Sequence, residues 1–162
     1  RLNENRKKDN GSNYWGGEPN DSLMYVGGDS YSAICGDGMK YICYAWHAVP
    51  GYSAFGSYIG NGSTNGPFVY TGFKPAWVMR KATGLAYSWY INDNTRNPYN
   101  MIDDWIKADT PDQEQINDVN YGIDFLSNGF KVRSSHVTQN EPSENYLYIA
   151  FAEQPYEFAT GR

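Results

Sequence analysis

Acidic side chains are the first candidates for chemistry, because five of them fall within twelve residues of one another. They are Asp103, Asp104, Asp109, Asp112 and Glu114. Two carboxyl groups roughly 5 to 9 Å apart can cleave a glycosidic bond. These five lie in a stretch containing Pro and Gln, where nothing predicts the burial that would raise the pKa of one carboxyl. We expect a solvated loop and no enzymatic activity, with a glycan-cleaving spike enzyme as the less favoured alternative.

Histidine and cysteine are the other residues that carry catalysis or bind metals, and both are scarce. His47 is expected at the end of a strand and His136 in a polar loop. Cys35 and Cys43 lack the spacing of a zinc site. We interpret Cys43 as a buried thiol, and a Cys35–Cys43 disulfide stays open. No nucleophile, metallopeptidase or phosphate-loop motif is present, so we predict no catalytic residue, metal or cofactor.

Oxygen ligands of the kind that calcium prefers occur at Asp93, Asn94, Thr95 and Asn97. Their spacing does not match a calcium-binding EF-hand loop. A turn closed by the Asp93 side chain after a strand explains them more simply.

Aromatic residues in loops are the best candidates for contact with a ligand, because sugars and protein surfaces both bind flat rings with polar edges. The alternative for each residue is that it folds under its own loop and covers the core. The candidates are Tyr14, Trp15, Tyr52, Tyr58, Tyr99 and Trp105.

Composition indicates an all-β protein. The 162 residues include 15 Tyr, 5 Trp, 17 Gly and 8 Pro. Aromatic residues favour strands, and Gly and Pro favour the turns between them. The net charge of −5 argues against a nucleic-acid partner, and no apolar stretch is long enough to insert into a membrane.

Alternating apolar and polar residues predict the strands. The clearest run is Leu85–Ile91, ended by the turn formers from Asn92 onward. Ser127-Asn128-Gly129 predicts a hairpin, and Met101 to Ile106 carries the only helical spacing. The other predicted strands are Leu23–Val26, Lys40–Ala48, Pro67–Tyr70, Ala76–Lys81, Gly122–Leu126, Phe130–Arg133 and Asn145–Ala152.

An internal repeat pairs Tyr41–Pro50 with Tyr146–Pro155. It predicts residues 1–50 as the closing half of a first unit and residues 51–162 as a second, more complete unit, with one packed β-sandwich body as the alternative to two separate units. The chain would then begin partway through a longer polypeptide. The repeat also predicts which residues face the core of an antiparallel, jelly-roll or lectin-like β-sandwich, namely Ile42, Tyr44, Trp46, Leu147, Ile149 and Phe151.

Five segments resemble a domain of uncharacterised function that recurs in bacteriophage virion proteins, often in tail-fibre-like chains of marine phages. The likeness extends from about Leu2 to Arg162, and an acidic insertion between Tyr99 and Gly122 departs from it. The segments are Gly56–Gly62, Gly66–Val78, Arg96–Asn100, Ile123–Arg133 and Tyr148–Glu153.

The resemblance implies a non-catalytic virion component. We expect a tail-fibre module that attaches to a host-surface glycan or protein or is displayed on the virion surface. It would form a homo-oligomer, such as a trimer, and contact other virion subunits. The alternative is a capsid-decorating or fibre-shaft domain that contacts only neighbouring subunits.

Overall fold

The computed structural model describes Lys40 and residues 44–154. The chain divides into two compact units, one of residues 1–8 with 47–162 and the other of residues 9–46. The first unit contains the strands β1 (Ser53–Ile59), β2 (Phe68–Tyr70), β3 (Pro75–Ala82), β4 (Tyr90–Asp93), β5 (Ile106–Lys107), β6 (Ile123–Leu126), β7 (Gly129–Val132) and β8 (Asn145–Ala152), a 3₁₀ turn at Val119–Tyr121 and a single helical turn, α1 (Val137–Asn140).

The strands form two antiparallel sheets. The larger has the order β1-β8-β3-β4-β5, and the smaller has the order β2-β7-β6. β8 is the longest-paired strand, because it bonds along its whole length to β1 on one side and to β3 on the other. β8 therefore joins β1 to the rest of the larger sheet.

The core lies between the two sheets. The larger sheet contributes tyrosines and small residues, and the smaller sheet contributes aliphatic residues and phenylalanine. The buried set includes Tyr58, Val78, Ala82, Tyr146, Tyr148 and Ala150 from the first sheet and Val69, Ile123, Phe125, Phe130 and Val132 from the second. The predicted all-β sandwich is confirmed.

The predicted facing of β8 is wrong. Tyr146, Tyr148 and Ala150 point into the core, whereas Leu147 is 44% exposed. The bulky apolar side chains of Leu147, Ile149 and Phe151 suggested that their face of the strand is buried. A tyrosine ring, however, fills a core as well as an aliphatic side chain does when its hydroxyl is hydrogen-bonded. Gly56 makes room, since a Cβ there would lie 2.9 Å from the Tyr148 ring.

The described residues do not support the internal repeat. Tyr44 to Ala48 lie outside any strand, and Trp46 is 52% exposed and stacked on Tyr44 at 6.0 Å. The prediction that Tyr44 and Trp46 face the core is therefore wrong, because Tyr44 is 66% exposed as well. Leu23–Val26, Tyr41 to Cys43 and Cys35 lie outside the described residues, and the division at residue 50 stays a prediction.

Five predicted strands are confirmed as β2, β3, β6, β7 and β8, and the hairpin turns at Ser127 and Asn128. β1 was missed, because its Gly and Ser residues suggested a loop. The Leu85–Ile91 strand is wrong over most of its length, since β4 begins at Tyr90 and continues through Asn92 and Asp93. Strand pairing outweighs the turn preference of Asn and Asp there.

The predicted helix at Met101–Ile106 is also wrong. Ile102 pairs with Ile123, and Trp105 pairs with Gln115, so this segment is extended along the sheets. A helix of one or two turns is too short to compete with such pairing.

One charged group lies inside the sandwich. Arg80 is fully buried, and its Nη2 donates to the Asn92 side chain at 2.7 Å and to the Tyr121 carbonyl at 3.1 Å. Burial lowers the pKa of Arg80, because the charged form loses its hydration. These bonds tie β3 and β4 to the 3₁₀ turn.

The facing of β8 predicts a contrast between neighbouring substitutions. Tyr148→Ala should lower the free energy of unfolding by about 3–5 kcal/mol, as for other buried aromatic residues. Leu147→Ala should cost less than about 1 kcal/mol, because its side chain already contacts water. Urea unfolding followed by tryptophan fluorescence measures both values, and equal losses would contradict the observed facing.

Candidate functional site

A surface groove of about 270 Å³ lies where the end of the larger sheet meets α1. One wall comes from the segment after β3, and the other comes from the helical turn and the loop that leads into β8. The lining residues are Leu85, Tyr87, Val137, Glu141, Pro142, Ser143 and Glu144.

Two core tyrosines hold the second wall. Tyr58 and Tyr146 are partners across β1 and β8, and their rings stack with centroids 5.0 Å apart. Tyr58 donates its hydroxyl proton to the Gln139 carbonyl at 2.9 Å. The Tyr146 hydroxyl donates to the Val137 carbonyl at 2.7 Å and accepts from the Glu141 amide at 2.8 Å. Three hydrogen bonds of the two tyrosines therefore end on α1 and on Glu141, which together form this wall.

A buried asparagine joins the same wall to the loop between β1 and β2. The Asn140 amide donates to Asn61 Oδ1 and to the carbonyls of Ser63 and Ser134, and Asn140 Oδ1 accepts from the Asn61 backbone amide. His136 begins α1, with Nδ1 accepting from the Thr138 amide at 3.4 Å. The wall is thus held by side-chain bonds on both sides of α1.

The first wall is held by the outer face of the larger sheet. The Lys81 ammonium donates to the Tyr87 carbonyl and lies 5.7 Å from the centre of the Trp89 ring. The Gly84 amide donates to Glu144 at 2.5 Å, which connects the two walls across the groove.

The groove is acidic. Glu141 and Glu144 are both partly exposed in it, and no Lys or Arg lines it. No described residue forms an ion pair with either carboxylate. Burial raises the pKa of Tyr146 well above its ordinary value, and the two carboxylates strengthen the rise. The groove therefore presents oxygen acceptors beside the Tyr87 ring.

A second groove of about 330 Å³ differs in its charge. It is lined by Phe73, Lys74, Ser127, Glu153 and Gln154. Lys74 and Glu153 form an ion pair at 2.9 Å, so its charges neutralise each other. The first groove keeps its charge available for a ligand.

The predicted aromatic contacts do not come together at either groove. Tyr99 is 81% exposed and Tyr52 is 37% exposed, with its ring edge against Phe151. Tyr58 and Trp105 are buried, so the interpretation of these two as surface contacts is not supported. Tyr14 and Trp15 lie outside the described residues.

Tyr87, Glu141 and Glu144 were missed as site residues. Tyr87 was expected in a strand facing the core. Glu141-Pro142-Ser143-Glu144 is an acidic turn between a helical turn and a strand, and this is the sequence signal that could have indicated the second wall. Its meeting with Tyr87 depends on the pairing of β3 with β8, which no local pattern reveals.

The acidic segment is bonded to its surroundings. Asp103 accepts from Asn97, and Asp104 accepts from the Asn117 amide. In addition, Lys107 pairs with Asp112 at 2.6 Å, and this hydrogen bond is the main reason that the pKa of Asp112 is lowered. Asp103, Asp104 and Asp112 are therefore engaged in structural bonds, whereas Asp109 accepts from the Trp89 amide through Oδ1 and has no hydrogen-bond partner at Oδ2 among the described residues.

The turn after β4 is confirmed as one closed by a side chain. Asp93 Oδ1 accepts from the amides of Thr95 at 3.0 Å and Arg96 at 2.9 Å, and its other oxygen pairs with the Arg96 guanidinium. Arg96 also contacts Glu114 at 2.6 Å.

In the part of the chain that the structure describes, no cluster of three or more His, Cys, Asp or Glu could hold a metal ion. His136 packs its ring on Tyr121 at 5.3 Å, and His47 is exposed. No helix among those same residues has the length and apolarity to cross a membrane.

The fold and the groove define a β-sandwich module with an acidic, aromatic surface groove. Residues 1–155 match the family described as a domain of unknown function, DUF7483, and the chain belongs to that family. No curated protein and no solved structure matches it.

The tyrosine bonds predict that the groove wall depends on one hydroxyl. Tyr146→Phe keeps the ring but leaves the Val137 carbonyl and the Glu141 amide without this partner. The free energy of unfolding should fall by about 1–3 kcal/mol, the usual cost of an unpaired buried group. Urea unfolding at pH 7 measures the loss. Tyr70→Phe is the matched control, because Tyr70 is 68% exposed, and an equal loss there would contradict the assignment.

The same variant should change the response to alkali. The unfolded chain loses its tyrosine protons near pH 10, whereas Tyr146 in the folded chain retains its proton to higher pH. The unfolding free energy should therefore fall as the pH rises above 10, by up to about 1.4 kcal/mol per pH unit for each such tyrosine. Tyr146→Phe should show a shallower fall.

Proposed function

We propose that this chain is a non-catalytic binding module of a bacteriophage tail fibre, and that its groove attaches to the host cell surface. The observation that carries the proposal is the groove itself. It combines an aromatic ring with hydrogen-bonding side chains, as sugar-binding sites do, and its walls are held by the core. The phage assignment rests on the resemblance of Gly66–Val78 and the other segments, and the family's description adds no role.

Two features favour binding over catalysis. In the acidic segment, Asp103, Glu114 and Asp112 bond to Asn97, Arg96 and Lys107 respectively. In the groove, Glu141 and Glu144 are both partly exposed, whereas a glycan-cleaving acid is usually kept in a pocket that excludes water. A groove of about 270 Å³ makes few contacts in one copy, and binding would be strengthened by several copies on one fibre.

Adsorption to cells tests the proposal. The fluorescently labelled chain, applied to a panel of marine bacterial strains, should bind some of them. Tyr87→Ala should reduce that binding at least tenfold, because Tyr87 is the aromatic residue among those that line the groove. Tyr70→Ala is the control, since Tyr70 is an exposed tyrosine outside the groove lining. Binding that survives Tyr87→Ala, or a blank panel, would overturn the proposal.

A second candidate is assembly, in which the chain contacts only neighbouring virion subunits. Ile59 is 65% exposed and Leu147 is 44% exposed, on neighbouring strands and on the outer face of the larger sheet. Phe68 and Tyr70 are likewise exposed on β2, at the edge of the smaller sheet. Apolar side chains on edge strands favour pairing with another chain.

Sedimentation velocity tests the assembly function. If neighbouring copies cover the outer face, the chain should sediment as an oligomer, and Ile59→Lys combined with Leu147→Lys should give monomers. Val119→Lys is the control, because Val119 is 57% exposed and lies in the 3₁₀ turn. A monomeric parent chain at the highest accessible concentration would count against assembly through this face.

A further inference from the structure

The acidic groove selects its ligand by charge. Resting on the binding function proposed above, we propose that it takes a glycan carrying a free amino group and rejects acidic glycans. Glu141 and Glu144 line the groove together, and no cationic side chain lines it with them. A sugar ammonium is the ligand group that compensates both carboxylates.

The hydrogen-bonding capacity of the lining supports the same ligand. Ionised carboxylates only accept hydrogen bonds, so the ligand must supply donors. An ammonium supplies three donors, and its bonds to carboxylates are stronger than those of a neutral hydroxyl. Glu144 accepts one bond from the Gly84 amide, which orients its carboxylate and leaves acceptor positions for a ligand.

Tyr87 is partly buried against the core and lines the same groove as the two carboxylates. A cation over an aromatic face is attracted by the electrons of the ring. The carbonyl of Tyr87 is held by Lys81, which fixes the backbone at this wall of the groove. Leu85, Val137 and Pro142 supply apolar surface for the ring carbons of the sugar.

The net charge of the chain also favours a cationic ligand. At −5, the protein attracts cationic ligands and repels carboxylated or phosphorylated ones before contact. The second groove lacks this preference, because Lys74 neutralises Glu153 there.

Calorimetric titration of the full chain with three oligosaccharides tests the inference. The probes are a glucosamine oligomer with protonated amines, its N-acetylated counterpart and an oligogalacturonate. We expect the amine to bind at least tenfold more tightly than the acetylated form and the uronate not to bind. Glu141→Gln with Glu144→Gln should remove that tenfold preference, because glutamine keeps the shape and loses the charge. Asp124→Gln is the control, since Asp124 lies outside the groove.

The outcomes separate the inference from the function. Equal binding of the amine and the acetylated sugar, or binding of the uronate, would overturn the charge selection while Tyr87-dependent adsorption to cells still stands. If no probe binds and adsorption depends on Tyr87, the ligand class is wrong and the binding function remains. If adsorption does not depend on Tyr87, the proposed function itself fails.

Discussion

The structure depends on a requirement that buried hydroxyl groups be hydrogen-bonded. Tyr58 and Tyr146 stack between the sheets, and an unpaired phenol at that depth would be costly. Their partners are backbone groups of Val137, Gln139 and Glu141. The segment around α1 must therefore stay against the ends of β1 and β8, and the position of the groove wall follows from the packing of the core.

The two sheets stabilise the core in different ways. The smaller sheet contributes Phe130, Val132 and similar residues, whose burial is favourable without any partner. The larger sheet faces them with tyrosines and with Arg80, each of which needs hydrogen bonds. Because such bonds are directional, this polar side of the core defines the positions of α1 and of the 3₁₀ turn, and the apolar side supplies the driving force.

Local patterns predicted the fold class and five strands, because alternation and the Asn-Gly turn reflect short-range physics. They failed where pairing between strands that are distant in the sequence determines the structure. In β1, a side chain at Gly56 would collide with the Tyr148 ring on the neighbouring strand β8. β4 continues through Asn92 because β3 pairs with it there. The candidate site was hidden for the same reason, since Tyr87 and Glu144 are 57 positions apart and meet only through the β3–β8 register.

The small volume of the groove links the proposed ligand binding to the assembly of several copies. At about 270 Å³ it lies below the usual range of pockets that enclose a whole ligand, so one copy makes few contacts. If the groove attaches to the host as proposed, strong attachment requires several copies held together. The high effective concentration of neighbouring copies then compensates for the weak affinity of each single groove. The exposed Ile59 and Leu147 lie on the outer face of the larger sheet and do not line the groove. Oligomerisation through that face would serve the proposed binding function by joining copies, so an oligomer alone does not distinguish binding from assembly.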